Sequence, residues 1–247
     1  MKKRCLWVGL GILALLAFSL AACSLLGVGG DAVSFSASGA GYGEVPYAAA
    51  QSFSGAVTVE AWVKLASYTG WSSILTKGAD QGGEYSLRQD DLGTGHLRFS
   101  INDSDTGTWG MVDSASVLSL NTWHHVAGTY DGTTMNVYID GVLDGTAAVA
   151  LPVVTNTQPV YIGVDIPGAT EYLDGAVCEA RIWNVVRTAD QIKAAMNTRL
   201  TGTETGLVLL CPLNDGFGPQ FKERVSGKSG TLSGSYAWGV TGPSSLK

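Results

Sequence analysis

Histidine is scarce in this 247-residue chain: there are three, His96, His124 and His125. His124 and His125 are neighbours, so on a strand they point to opposite faces, and His96 is distant; an imidazole-rich zinc centre has no carriers. Cationic residues are also few, with 15 Lys and Arg against 21 Asp and Glu and a net charge of −6. No basic stripe offers itself to phosphates, which argues against nucleic acid, and charge alone would not dock the protein on anionic lipid. Gly-x-Ser-x-Gly elbows and phosphate-cradling glycine loops are absent; the 33 glycines punctuate turns. A Glu-x-Asp-x-x-Glu run, whose alternation would aim two carboxylates at one glycosidic bond, is missing too. The nearest acidic group, Glu171, Asp174 and Glu179, has the wrong spacing, and Asp90-Asp91 reads as a turn pair. The sequence therefore predicts a protein that is not an enzyme.

The first residues read as targeting. Lys2-Lys3-Arg4 precede an apolar run from Leu6 to Leu20, closed by Leu20-Ala21-Ala22-Cys23. Small residues before a cysteine resemble the lipobox of bacterial lipoproteins. That resemblance implies a signal peptide over 1–22, cleavage before Cys23 and lipidation of its thiol. It further implies a tether over 23–30 and a cell-envelope protein held on the extracytoplasmic side of a membrane by several acyl chains. Loss of Lys2, Lys3 and Arg4 would take the net charge from −6 to −9. Cys5 would leave with the signal, so Cys178 and Cys211 remain as an even pair in an oxidising compartment. A Cys178–Cys211 disulfide is expected; the alternative is two buried thiols.

From Ala32 onward, short apolar alternations are separated by Gly, Asp, Asn and Ser. In Val57-Thr58-Val59-Glu60-Ala61-Trp62-Val63 the first, third, fifth and seventh residues share one face. His96–Ile101 alternates likewise, with Leu97, Phe99 and Ile101 inward. Asp131-Gly132 and Asp140-Gly141 suit tight turns. Further strands are expected near Val160–Val164, Ala176–Trp183 and Leu207–Leu213, about a dozen in all. Thr188-Ala189-Asp190-Gln191 has the pattern of a capping box and predicts one helix ending near Leu200. The expected fold is all-β, a two-sheet antiparallel sandwich or jelly roll over residues 31–240, with a frayed tail from 241 to 247.

Several phrases carry a resemblance in order and spacing. They are Gly43-Glu44-Val45-Pro46, Thr58–Lys64, Ser73–Lys77, Thr122–Gly132, Val137–Gly141, Glu179–Asn184 and Gly206-Leu207-Val208. Across residues 32–234 they resemble the laminin-G-like subset of concanavalin A-like lectin/glucanase domains. The resemblance implies two packed sheets, one concave, and binding of carbohydrate or protein, often with calcium; it fixes no ligand. Ser36 and Cys178 stand where such domains often carry acidic residues, which makes a calcium site less expected here. Asp174 is the candidate metal ligand that remains.

Loop aromatics beside polar groups suit sugar rings, which stack their C–H faces on indole and hydrogen-bond through hydroxyls. On that ground Tyr68, Trp71, Asp103, Asp105 and Trp109 are the candidate ligand contacts, opposed by the reading that these rings fold back on the sandwich. A second candidate surface is the polar strand face of Glu60, Trp62, Arg98, Tyr138 and Arg181, whose simpler reading is an internal Glu60–Arg181 ion pair. The expected role is a membrane-anchored, non-catalytic module that recognises glycan or an envelope protein. The alternatives are a structural or assembly lipoprotein and, further off, a divergent glycoside hydrolase.

Overall fold

The computed structural model describes residues 30–52, 55–78, 83–103, 108–153 and 155–247, residue 103 by its backbone alone. The lipidation candidate Cys23 and Asp105 lie outside the described residues. Sixteen strands and one α-helix are present among them. In chain order the strands are β1 (Ala32–Phe35), β2 (Tyr42–Val45), β3 (Val57–Leu65), β4 (Ser73–Lys77), β5 (Tyr85–Gln89), β6 (His96–Asp103), β7 (Thr108–Val117) and β8 (His124–Tyr130). There follow β9 (Thr134–Ile139), β10 (Val142–Ala148), β11 (Val160–Ile162), β12 (Gly175–Trp183), the helix α1 (Ala189–Ala195), β13 (Leu207–Cys211), β14 (Gln220–Lys222), β15 (Ser229–Ser233) and β16 (Tyr236–Val240). The excess over a dozen lies in pieces such as β14, whose three residues are too few to display a period.

The strands form two antiparallel eight-stranded sheets. The first runs β10-β9-β8-β3-β12-β1-β16, with β13 added beside β12; the second runs β14-β15-β2-β11-β4-β5-β6-β7. This is the expected jelly-roll sandwich. Between the sheets, Val57, Val59 and Ala61 of β3 meet Leu87, Leu97, Phe99 and Ile101 of the second sheet, all fully buried. The sheets approach so closely at Gly128 that a Cβ there would stand 2.3 Å from the Phe99 ring.

The outer face of the first sheet is covered. Thr188 caps α1 reciprocally with Gln191, as its sequence pattern requires. Ile192 packs on Ala127 and Tyr138. The helix stops at Ala195 rather than near Leu200 because side chains claim the carbonyls that follow. The Trp62 indole donates to Met196 O (2.7 Å), and Arg181 donates to Ala195 O (3.1 Å) and Thr198 O (2.7 Å). Near the end of the chain, Lys247 N donates to Asn197 O, Arg199 N to Lys247 O, and the Trp123 indole to Thr241 O.

One irregularity overturns an expectation. Three steps on β12, from Cys178 to Arg181, face two on β3, from Trp62 to Glu60, and Glu179 takes a left-handed φ of 50°. This bulge inserts one residue and reverses the alternation. Cys178 therefore packs with Ala32 and Trp62 on the outer face, whereas Cys211 lies in the core between the sheets. Both are free thiols, so the expected disulfide is not formed.

Candidate functional site

The outer face of the second sheet carries a cleft. Its geometry starts at Trp71, the residue two before β4. Trp71 has φ 66°, a conformation costly for a bulky side chain. Its turn is held from several sides. Trp71 N donates to Asp90 O and Ser72 N to Thr69 O, while the Gln89 amide donates to Ser72 Oγ (2.6 Å). Gly70 backs onto Asp91 so tightly that a Cβ would lie 2.4 Å from its carbonyl oxygen. The turn thus holds an indole, 39% exposed, over the end of β5.

Arg88 of β5 lies beneath it. Its guanidinium is 4.4 Å from the Trp71 ring centroid and 5.8 Å from that of Trp109 on β7. Only 4% of Arg88 is exposed. Burial pushes its pKa below the ordinary arginine range, while the charges of Asp165 and Asp91 oppose that shift. Its neighbour Arg98 is held in place by a bidentate pair with Asp113 (2.6 and 2.7 Å) and a contact with Asp91, which raise its pKa. Trp71, Arg88, Trp109, Met111, Asp165 and Glu171 together line a cleft of about 240 Å³. Asp165 and Glu171 come from the segment after β11, where Ser73 N donates to Glu171 O and Gly168 N donates to the Tyr172 hydroxyl. Two indoles, one guanidinium and two carboxylates can stack a sugar ring and hydrogen-bond its hydroxyls.

Of the residues singled out from the sequence, Trp71 and Trp109 meet here. Trp109 does so from a strand, not from the loop that its surroundings suggest. Tyr68 does not join them: its hydroxyl donates to Leu118 O (2.6 Å) and its ring packs against Gly95, so it belongs to the packing. Asp103 ends β6. Asp174 lies elsewhere, on a groove of about 340 Å³ shared with Ser34, Lys64 and Asn121, and accepts from Ser67 Oγ (3.0 Å). Among the described residues no three His, Cys, Asp or Glu side chains converge as metal ligands. Arg88, Met111 and Asp165 were not singled out in the sequence. For Arg88 the local signal is the alternation of β5, where Tyr85 and Leu87 turn inward and Arg88 outward.

The second candidate surface divides. Arg98 is on β6 of the other sheet, apart from the remaining four. Glu60 accepts from Arg181 (3.5 Å), Arg187 (3.3 Å) and the Trp183 indole (3.0 Å), all beneath the layer that carries α1. The ion-pair reading of Glu60 and Arg181 holds.

A two-sheet jelly roll with an aromatic and polar cleft on one outer face is a lectin-type sandwich. Residues 37–193 match the family described as the concanavalin A-like lectin/glucanases superfamily, and the chain belongs to it. Among solved structures it is similar to a candidate carbohydrate-binding protein from Bacteroides ovatus ATCC 8483, at TM-score 0.67 and 22% identity, covering 84% of this chain and 59% of that one. The chain thus spans about three fifths of that protein. A heptameric SAP-like pentraxin from Limulus polyphemus matches at TM-score 0.56 and 14% identity over 87% of this chain and 97% of the other. At these identities the likeness establishes the fold. No curated protein matches the sequence.

Proposed function

We propose that this protein is a non-catalytic glycan-binding module, anchored by lipid on Cys23 at the extracytoplasmic side of a membrane. Its ligand lies in the Trp71–Arg88–Trp109 cleft. The observation that carries this reading is the pair of indoles flanking one buried guanidinium beside Asp165 and Glu171. The Bacteroides ovatus neighbour, described as carbohydrate-binding, supports the ligand class. The basic start, apolar run and Leu20-Ala21-Ala22-Cys23 support the anchor. The lack of a Glu-x-Asp-x-x-Glu strand supports binding without hydrolysis.

The test pairs affinity with melting temperature. A glycan array finds the ligand, and Trp71→Ala and Trp109→Ala should each weaken capture several-fold, a loss of about 1–2 kcal/mol per ring, with the melting temperature nearly unchanged. If both variants lose stability and keep affinity, the rings are packing elements and the cleft is not the site. Release of reducing ends from a captured glycan would sink the non-catalytic reading.

A further inference from the structure

Three side chains that take no part in the cleft meet at the open end of the β4–β5 hairpin. Lys77 closes β4 and Glu84 stands just before β5; Glu84 N donates to Lys77 O (2.8 Å), so the two lie opposite each other. Asn156 belongs to the segment between β10 and β11 and comes near because Val160 of β11 pairs with Lys77. Neither Lys77 nor Glu84 exposes its side chain. Lys77 Nζ is nearer to the amide oxygen Oδ1 of Asn156 (3.0 Å) than to Glu84 Oε1 (3.5 Å). Its other contacts are the backbone carbonyls of Asn156 (3.2 Å) and Gln158 (3.0 Å). In a plain ion pair the carboxylate would be the closest partner. We propose that Lys77 and Asn156 condense into an intramolecular amide crosslink, with Glu84 as the proton carrier.

The parts of an acyl transfer are present. Asn156 Cγ is one C=O bond, about 1.2 Å, from Oδ1, so it stands no more than about 4.2 Å from Nζ. Gln158 N donates to the same Oδ1 (2.9 Å), which polarises the amide and can hold the charge that develops on its oxygen. Burial lowers the pKa of Lys77 and raises that of Glu84; each is opposed by the other's charge, and Glu84 also by its hydrogen bonds from Asn156 and Ser52. Both directions favour amine and carboxylic acid over ammonium and carboxylate, and a neutral, desolvated lysine is a nucleophile. Glu84 Oε1 is fixed by Ser52 Oγ (2.7 Å) and Asn156 N, whereas Oε2 is buried and has no hydrogen-bond partner among the described residues. The Tyr47 ring, its centroid 5.0 Å from Nζ, closes another side. Nζ forms a bond to Cγ as the carbonyl π pair moves onto Oδ1. Glu84 gives its proton to Nδ2 and takes one from Nζ. The pair returns from Oδ1, the Cγ–Nδ2 bond breaks, and ammonia leaves past Asn156, which is half-buried. One amide replaces another, nothing is oxidised or reduced, and Glu84 ends in the state in which it began.

The experiment weighs peptides. The purified full chain is denatured, reduced and digested with trypsin and a protease that cuts at acidic residues. A branched peptide should join the Lys77 and Asn156 segments at their summed mass less one ammonia, with no cleavage after Lys77. Glu84→Gln keeps the shape of the side chain and removes the proton carrier. It should slow the crosslink on the order of 100-fold, within the range of general acid–base catalysis, so that freshly purified variant gives the two segments as separate peptides. Asn156→Ala should give no branch at all. The wild-type digest decides even where a variant fails to fold. Separate Lys77 and Asn156 peptides from wild-type chain kept for days at neutral pH would leave a plain buried ion pair and overturn the proposal. A branch formed as fast in Glu84→Gln as in the wild type would overturn the role given to Glu84.

Discussion

Glu60 and Arg181 meet at 3.5 Å across the β3–β12 pair, and neither side chain is exposed. Arg187 and the Trp183 indole converge on the same carboxylate oxygen. Removing the acid leaves two cations facing each other under α1. Glu60→Ala should therefore destabilise the fold by about 3–5 kcal/mol, the scale for breaking a buried pair. Ligand capture at the opposite sheet should survive. Denaturant titration of the variant beside a binding assay checks both halves.

His125 gives the same layer a pH dependence. Burial lowers its pKa to about 4, with Arg181 and Arg187 adding to the shift and Glu60 and Asp140 opposing it. An unfolded histidine binds its proton near pH 6.5. Between those values the unfolded chain holds a proton that the folded one does not, so stability falls as pH drops from about 6.5 to about 4. The contribution is on the order of 3 kcal/mol. In unfolding free energies measured across that window, His125→Gln should flatten the slope; an unchanged slope would mean that His125 takes its proton in the fold.

Burial raises the pKa of both thiols, Cys178 mainly by desolvation and Cys211 well above its ordinary value. Iodoacetamide at mildly alkaline pH should leave both unlabelled in the native protein and label both in guanidinium chloride. Peptide mass mapping reads the outcome. A crosslinked 178–211 peptide pair from unreduced protein would contradict the free thiols.

Cys23→Ala tests the proposed anchor. The variant should leave the membrane fraction or accumulate unprocessed, and the wild-type mature chain should begin at Cys23 with added acyl mass. A mature N-terminus upstream of Cys23, without that mass, would falsify the lipid reading.

The sandwich was legible because its core strands alternate cleanly. The residues of β3 and β6 expected to face inward do so. What the alternation could not show is where it breaks. The bulge at Glu179 leaves no local sign, since Cys178, Ala180 and Ile182 look evenly spaced, and the extra residue appears only in the pairing with β3. The cleft was half legible. Trp71 and Trp109 stand out as aromatics in polar surroundings. Arg88 reaches them through the consecutive hairpins β4-β5-β6-β7, which together outrun any short window, and Asp165 only through the non-local pairing of β11 with β4. Tyr68 shared the same composition signal, but its partners Gly95 and Leu118 draw it into the packing.

The position of β1 has a mechanical consequence. The strand is clamped on both sides, antiparallel to β12 and to β16, and the chain enters it from residue 30. Tension applied through that entry runs along the strand, across hydrogen bonds that stand perpendicular to it. Both ladders would have to shear together, where a strand pulled sideways would unzip one bond at a time. A pull along β1 from residue 30 thereby loads the sandwich in its more resistant direction.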